Sequence, residues 1–307
     1  MTMHHARVLL ALTLLPLFTA CSNLKPVATF GNGASALATS YRPFVDGMEK
    51  TCLKARMGET LLHTGPFEYK ALQEKSVVAC KPLTEKKETA LEFATVVDGY
   101  GAVLVELSGL KADALSADIG TLADTAAKLK TKGGDAVFNA NALSAAGKLA
   151  SGIVELVLGR KITKVTKEVL VDAQEPLAVT VGAMKTYVTR LYPAVLTEYK
   201  NDTALIEQFL VRESTYVLVK DDAAATAANR SRAVPYRLLQ PQYRVHMQEI
   251  AAEEDKIAKF AAASDALVLA HKELIDNFDA KTEPDKLAAL KDFIKKARDL
   301  RDSINKI

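Results

Sequence analysis

Tryptophan is absent from this sequence of 307 residues, and aromatic residues make up only 6% of it. Pockets for small molecules are commonly lined with aromatic rings, so the composition does not favour a carbohydrate or cofactor pocket. Hydrophobic residues still account for 49% of the chain. They are mostly Ala, Leu and Val, which suit helix packing, so the composition favours an all-helical protein.

Residue patterns for catalysis or metal binding are equally scarce. After residue 20 the chain has three histidines, His63, His246 and His271, and none of them follows a glutamate by three residues. The Glu-x-x-His pairs of di-iron helical bundles are therefore missing. The motifs HExxH and GxSxG and the phosphate-binding P-loop do not occur either. We predict no catalytic residue, no cofactor and no metal ligand, and we expect that the protein is not an enzyme.

Two of the histidines have contrasting sequence contexts. His271 lies on the apolar stripe of a long predicted helix, which favours a hydrogen-bonded core or boundary residue over a ligand. His63 lies in a segment with a turn signal and is the most plausible functional histidine. A hydrolase with a site near His63 is therefore an alternative function, although spacing assigns it no nucleophile or paired carboxylate.

Charges of the two signs are nearly balanced. The chain has 40 Lys and Arg against 37 Asp and Glu, and no long run of one sign. This distribution does not favour binding of nucleic acid. The acidic run Glu253-Glu254-Asp255 is interpreted as a solvated helix face, because consecutive helical positions point in different directions.

The N-terminus has the pattern of an export signal. Arg7 is followed by ten mostly apolar residues, 8–17, and then by the small residues Thr19 and Ala20. Ten residues are too few to cross a hydrocarbon core of about 30 Å, and Pro16 interrupts them. We therefore expect residues 1–20 to be a signal peptide and not a lasting membrane span.

The end of this segment, Leu17-Phe18-Thr19-Ala20-Cys21, resembles the lipobox of bacterial lipoproteins, with Phe18 at a position where Leu is usual. The resemblance implies that Cys21 receives a diacylglycerol on its thiol and a fatty acid, such as palmitate, on its new amine. Ser22 in place of Asp implies sorting to the outer membrane, with the protein facing the periplasm. The alternative is an ordinary secretory signal in which Cys21 is incidental.

The remaining cysteines, Cys52 and Cys80, form an even pair. In an exported chain such a pair predicts a disulfide bond. A metal site is much less favoured, because no histidine lies near enough in sequence to complete it.

Helical periodicity covers most of the chain. We predict a flexible tether at 21–34, because Pro26, Gly31 and Gly33 occur there without periodicity. A first helix is expected over 35–56, and 58–82 is expected to be the least helical part.

From residue 84 onward two apolar seams are predicted, and Gly133-Gly134 is expected to end the helix of the second. The first comprises Phe93, Val96, Tyr100, Val103, Leu107 and Leu110, and the second comprises Leu115, Ile119, Leu122, Ala126 and Leu129. A long helix is expected over 160–201, kinked or broken at Pro176 and Pro193. Another helix is expected over 203–220, and a long connection over 220–241.

The predicted fold is an all-α, elongated antiparallel bundle of six to eight helices, with coiled-coil-like seams and a small disulfide-bearing loop region near the N-terminus. Residues 35–307 are expected to form one domain. We expect it to be a lipid-anchored scaffold or protein-binding module with a partner protein in the envelope.

Segment 136–158 raises a second alternative function. It is rich in small residues, and Ala140, Ser144, Gly147 and Ser151 share one helical stripe that would allow a neighbouring backbone to approach closely. Lys148 interrupts it before eighteen apolar residues accumulate, so a packed core helix is favoured over a helix that inserts into a membrane.

Overall fold

The computed structural model describes residues 24–58, 68–108, 115–158, 162–213, 222–280 and 283–305. Helices form most of these ranges, and no strand occurs in them. The α-helices are α1 Leu24–Gly58, α2 Tyr69–Leu107, α3 Leu115–Thr131, α4 Ala140–Leu158, α5 Ile162–Thr186, α6 Tyr192–Glu213, α7 Ala223–Arg237, α8 Gln240–Asp276 and α9 Ala288–Ile304. The predicted all-α helical bundle is confirmed.

The described residues group into two compact units. Unit 1 takes its residues from Met1–Pro43, Glu88–Tyr187 and Lys259–Ile307, and unit 2 takes them from Phe44–Lys87 and Val188–Ala258. The sequence led us to expect one domain over 35–307, whereas α1, α2 and α8 each contribute residues to both units. Each unit is described below by itself.

The tether expected at 21–34 is wrong from Leu24 onward, because α1 begins there. Pro26 lies in the first turn, where a missing backbone N–H costs nothing. Gly31 faces the backbone of Gly101 on α2, and Gly33 faces Phe293 on α9. These glycines therefore serve close helix packing in unit 1, and not chain flexibility.

The predicted seams form the core of unit 1. The side chains of the first seam are buried along α2, and those of the second seam are buried along α3. The first comprises Phe93, Val96, Tyr100, Val103 and Leu107, and the second comprises Leu122, Ala126 and Leu129. The seams are confirmed at these positions. Helix α3 ends just before Gly133, as expected.

Prolines affect the helices less than predicted. Pro176 lies inside the continuous helix α5, where the Thr180 hydroxyl donates to its carbonyl oxygen at 2.7 Å. The break expected near Pro193 is a π-helical turn at Tyr187–Leu191, after which α6 begins. Helix α6 then continues through residue 202, where a boundary was predicted.

The expected connections contain more helix than predicted. In 220–241 the chain forms α7, whose first turn is capped by the Asp222 carboxylate accepting from the Ala225 N–H at 2.8 Å. The high helix propensity of its alanines outweighs the polar residues that suggested a loop. Similarly, the segment 58–82 enters helix α2 at Tyr69.

Candidate functional site

Three helices of unit 2 bring their polar side chains into one cluster. Thr51 and Lys54 come from α1, Tyr192 and Tyr199 from α6, and Glu249 and Glu253 from α8. On each helix the two residues are three, four or seven positions apart, which places them on the same face. We call these six residues the tyrosine–glutamate cluster.

One half of the cluster is centred on Glu249. Lys54 donates from Nζ to both carboxylate oxygens, at 2.8 and 3.0 Å, and Tyr199 donates its hydroxyl to Oε2 at 2.7 Å. The buried side chains of Ala55, Tyr199 and Ile250 pack together as a small apolar core. Glu249 therefore links α1, α6 and α8.

The other half is centred on Glu253. Tyr192 donates its hydroxyl to Oε2 at 2.9 Å, and Lys256 donates to Oε1 at 2.8 Å. The Tyr192 hydroxyl also lies 3.2 Å from that of Thr51. The expectation of a solvated acidic face is thus wrong for Glu253, whereas its neighbour Glu254 is half-exposed and pairs with Lys200.

The surroundings of the cluster shift several pKa values away from neutrality. Burial alone would raise the pKa of Glu249, but the hydrogen bonds from Lys54 and Tyr199 lower it, and the net direction is down. Burial, together with the neighbouring carboxylates, raises the pKa of Tyr192 and of Tyr199. At neutral pH the glutamate is an ionised acceptor and the tyrosines are protonated donors.

His246 lies beside this cluster, with its ring 4.9 Å from that of Tyr199. Burial lowers its pKa, Glu249 opposes that shift, and Lys54 adds to it. The buried Nδ1 atom has no hydrogen-bond partner. Among the described residues, Nδ1 is therefore not arranged to activate a hydroxyl or thiol nucleophile.

These properties define what the cluster can do. A general acid or base needs a pKa near the working pH, and the pKa values of Glu249, Tyr192 and Tyr199 have been moved away from neutrality. Across the described ranges, no three His, Cys, Asp or Glu residues are arranged to hold a metal ion. What the structure shows is that the hydrogen bonds of the cluster join α1, α6 and α8.

The structure confirms that His271 is a core residue of unit 1. It is 1% exposed, and its Nε2 lies 2.5 Å from the hydroxyl of the equally buried Tyr100. The Phe30 ring packs 5.3 Å away. Burial lowers the pKa of His271 to about 4 and raises that of Tyr100, so both stay neutral near pH 7.

The predicted disulfide bond between Cys52 and Cys80 is confirmed. It joins α1 to α2 in unit 2, with the Cα atoms 6.0 Å apart and both side chains buried. The proposed lipid-attachment residue Cys21 and the histidine His63 lie outside the described residues.

Segment 136–158 contains helix α4, which packs against α3 and α5 in unit 1. The stripe of small residues does not provide the main contact, because Ala140 and Ser144 are exposed and only Gly147 is buried. The buried face is instead the one with Leu143, Leu149 and Ile153. In the part of the chain that the structure describes, no helix is long and apolar enough to span a bilayer.

Comparison with protein families, with curated proteins and with solved structures finds no match to this chain. Sequence reasoning missed the tyrosine–glutamate cluster. Its contacts depend on three helices meeting, and no local pattern in any one of them indicates this. Only the spacing of Tyr192 and Tyr199 by two helical turns could have indicated a shared face.

Proposed function

We propose that this protein is a lipid-anchored protein of the cell envelope whose helical body is a non-enzymatic scaffold or protein-binding module. The lipid is attached to Cys21, and the protein lies on the periplasmic side of the outer membrane. The observation that carries the proposal is the tyrosine–glutamate cluster. It concentrates titratable groups, yet each of its carboxylates is occupied by hydrogen bonds that join helices.

The start of α1 supports a body that is held close to the bilayer. Helix α1 begins at Leu24, three positions after Cys21. A fully extended chain spans at most about 3.6 Å per residue, so the lipid-bearing residue lies within about 11 Å of the helix. A scaffold anchored in this way meets partners at the membrane surface.

Exposed apolar side chains give the proposed module places to contact a partner. Val78 in unit 2 is 70% exposed, and Leu269 in unit 1 is 60% exposed. Leu269 lines a groove of about 360 Å³ between α5 and α8, together with Val181 and Val268. Grooves of this kind accept the apolar face of a helix.

The anchor is tested by mass spectrometry of the mature N-terminus. An acylated Cys21 is expected as the first residue, and the Cys21→Ser variant should lack the acyl chains and leave the membrane fraction. A mature wild-type chain that begins elsewhere, or that carries an unmodified Cys21, refutes the anchor.

Partner binding is tested by a photo-reactive residue introduced at Val78 or at Leu269 in growing cells. A matched control has the same residue at the exposed, charged Glu85. We expect the residue at Val78 or Leu269 to crosslink to one defined protein and the residue at Glu85 not to do so. The same crosslink should form when the two purified proteins are mixed. If neither the Val78 variant nor the Leu269 variant gives a crosslinked product, the protein-binding role is contradicted.

A further inference from the structure

A surface cleft in unit 1 lies between α1 and α9, and we call it the α1–α9 cleft. Its volume is about 250 Å³, below the range of about 300–1,000 Å³ that is typical of pockets for drug-sized molecules, so it suits a small ligand. The buried residues that line it, Gly33 and Ala297, are small and leave the space open. The exposed residues that line it are all polar and comprise Asn32 from α1 and Arg298 and Arg301 from α9.

The two arginines of the cleft have donors available for a ligand. Arg298 and Arg301 are three positions apart on α9, so their side chains are neighbours on one face of the helix. The Nε atom of Arg301 lies 3.6 Å from Oδ1 of Asp302, and a pair of this kind between exposed side chains is weak. Within the described ranges, the Arg298 guanidinium has neither an ion pair nor a hydrogen bond. The outer nitrogens of both guanidinium groups can therefore donate to a bound anion.

The other charges of the two helices leave the cleft positive. Residues 24–41 of α1 contain one charged residue, Lys25, and it is a cation. Helix α9 has three aspartates, Asp292, Asp299 and Asp302. Because a helix turns by about 100° per residue, the first two lie at least about 100° around α9 from either arginine. Asp302 is the one aspartate of α9 on the arginine side, so the cleft keeps a net positive charge and favours an anionic ligand.

We propose that the α1–α9 cleft binds a small phosphate ester, whose phosphate is held by Arg298 and Arg301. One guanidinium fork satisfies a carboxylate, whereas a phosphate has further oxygens for a second fork. The Asn32 amide adds a neutral donor, and the organic part of the ester lies on Ala36 and Ala297. A soluble ester and a phospholipid headgroup share this chemistry. The inference goes beyond the proposed function, because a scaffold needs no small ligand.

Equilibrium dialysis with radiolabelled glycerol 3-phosphate tests the proposal on the purified chain carrying Cys21→Ser, so that no acyl chain contributes. Binding should saturate, should weaken as salt increases, and should be displaced by inorganic phosphate but not by acetate. The variants Arg298→Gln and Arg301→Gln should each bind about tenfold more weakly, because each removes charge-assisted hydrogen bonds. Arg298→Lys should also bind more weakly, since lysine keeps the charge but lacks the planar fork.

A matched control removes the same amount of positive charge elsewhere on α9. The double variant Lys295→Gln, Lys296→Gln changes two residues that do not line the cleft, and it should bind like the parent chain. The double variant Arg298→Gln, Arg301→Gln should lose binding. Ala36→Leu fills the cleft without a change of charge and should weaken binding. Circular dichroism and urea unfolding check that each variant is folded.

Vesicles that contain phosphatidylglycerol identify the source of the phosphate. If they bind the parent chain and not the Arg298→Gln, Arg301→Gln variant, the ligand is a phospholipid headgroup. If glycerol 3-phosphate binds and the vesicles do not, the ligand is a soluble ester. Both results support a phosphate site in the cleft.

Three results overturn the proposal. The first is that neither glycerol 3-phosphate nor the vesicles bind, and the second is that the double arginine variant binds like the parent chain. The third is that the lysine control loses as much binding as the arginine variant, which indicates attraction by charge in general. None of them changes the acylation of Cys21 or the crosslinks from Val78 and Leu269, so failure here is distinguishable from failure of the proposed function.

Discussion

Replacement of Gly101 by alanine tests whether α1 and α2 meet as closely in unit 1 as the structure shows. A Cβ atom at residue 101 would lie 2.4 Å from the carbonyl oxygen of Gly31 and 2.6 Å from the hydroxyl oxygen of Ser35. Both are well below the 3.4 Å at which ordinary contacts begin, and one partner is rigid backbone. The two helices must therefore separate by about 1 Å, and overpacking of this kind typically costs about 1–3 kcal/mol.

The comparison variant is Gly182→Ala in α5, where a Cβ atom would meet nothing within 4 Å. Both substitutions gain about 0.5–1 kcal/mol because alanine is the better helix former. The difference between the two variants therefore isolates the clash. Urea unfolding followed by circular dichroism should show Gly182→Ala as slightly stabilised and Gly101→Ala as about 1–3 kcal/mol less stable than Gly182→Ala. Equal stability of the two variants would refute the close contact at Gly31.

Three further predictions concern buried and linked groups. The pKa of His271 is about 4 in the folded chain and higher in the unfolded chain, so between these values the unfolded chain binds the extra proton. The free energy of unfolding should therefore fall by about 3 kcal/mol from pH 6.5 to 4. In urea unfolding at several pH values, a His271→Gln variant should lack this pH-dependent loss of stability. Replacing Cys52 and Cys80 by serine opens a ring of 29 residues and should cost about 3.6 kcal/mol, measured by urea unfolding under oxidising conditions; an unchanged midpoint would contradict this. Lys54→Met should cost less than about 1 kcal/mol, since the lysine is half-exposed, and should raise the pKa of Glu249, measured by NMR titration.

The helical class could be predicted because apolar residues recur along α2 and α3 with helical spacing. The side chains of the seam from Phe93 to Leu107 are buried in the structure, so the pattern within this one segment was enough to predict its buried face. The start of α1 could not be predicted in the same way. Gly31 and Gly33 indicate flexibility when neighbours are unknown, and only the presence of α2 and α9 shows that they make room for other helices.

The tyrosine–glutamate cluster could not be predicted either, because it too depends on contacts between separate helices. The disulfide bond followed from a count of cysteines and a predicted compartment. The roles of Tyr199 and Glu249 did not, because 50 residues separate them and no local pattern connects α6 with α8. Residues that act through long-range hydrogen bonds leave no periodic signal in one sequence.

The two units divide the apolar residues unequally, and this bears on where a partner binds. Most of the buried apolar side chains belong to unit 1, whereas most of the exposed large ones, including Val78, Val211 and Leu238, belong to unit 2. Unit 2 adds a disulfide bond and the ion pairs of Glu249 and Glu253 to its smaller core. A disulfide persists in an oxidising compartment, which agrees with the proposed location in the envelope. Since exposed apolar surface is costly unless it is covered, unit 2 is the part of the described chain in which binding to the membrane or to another protein is most strongly expected.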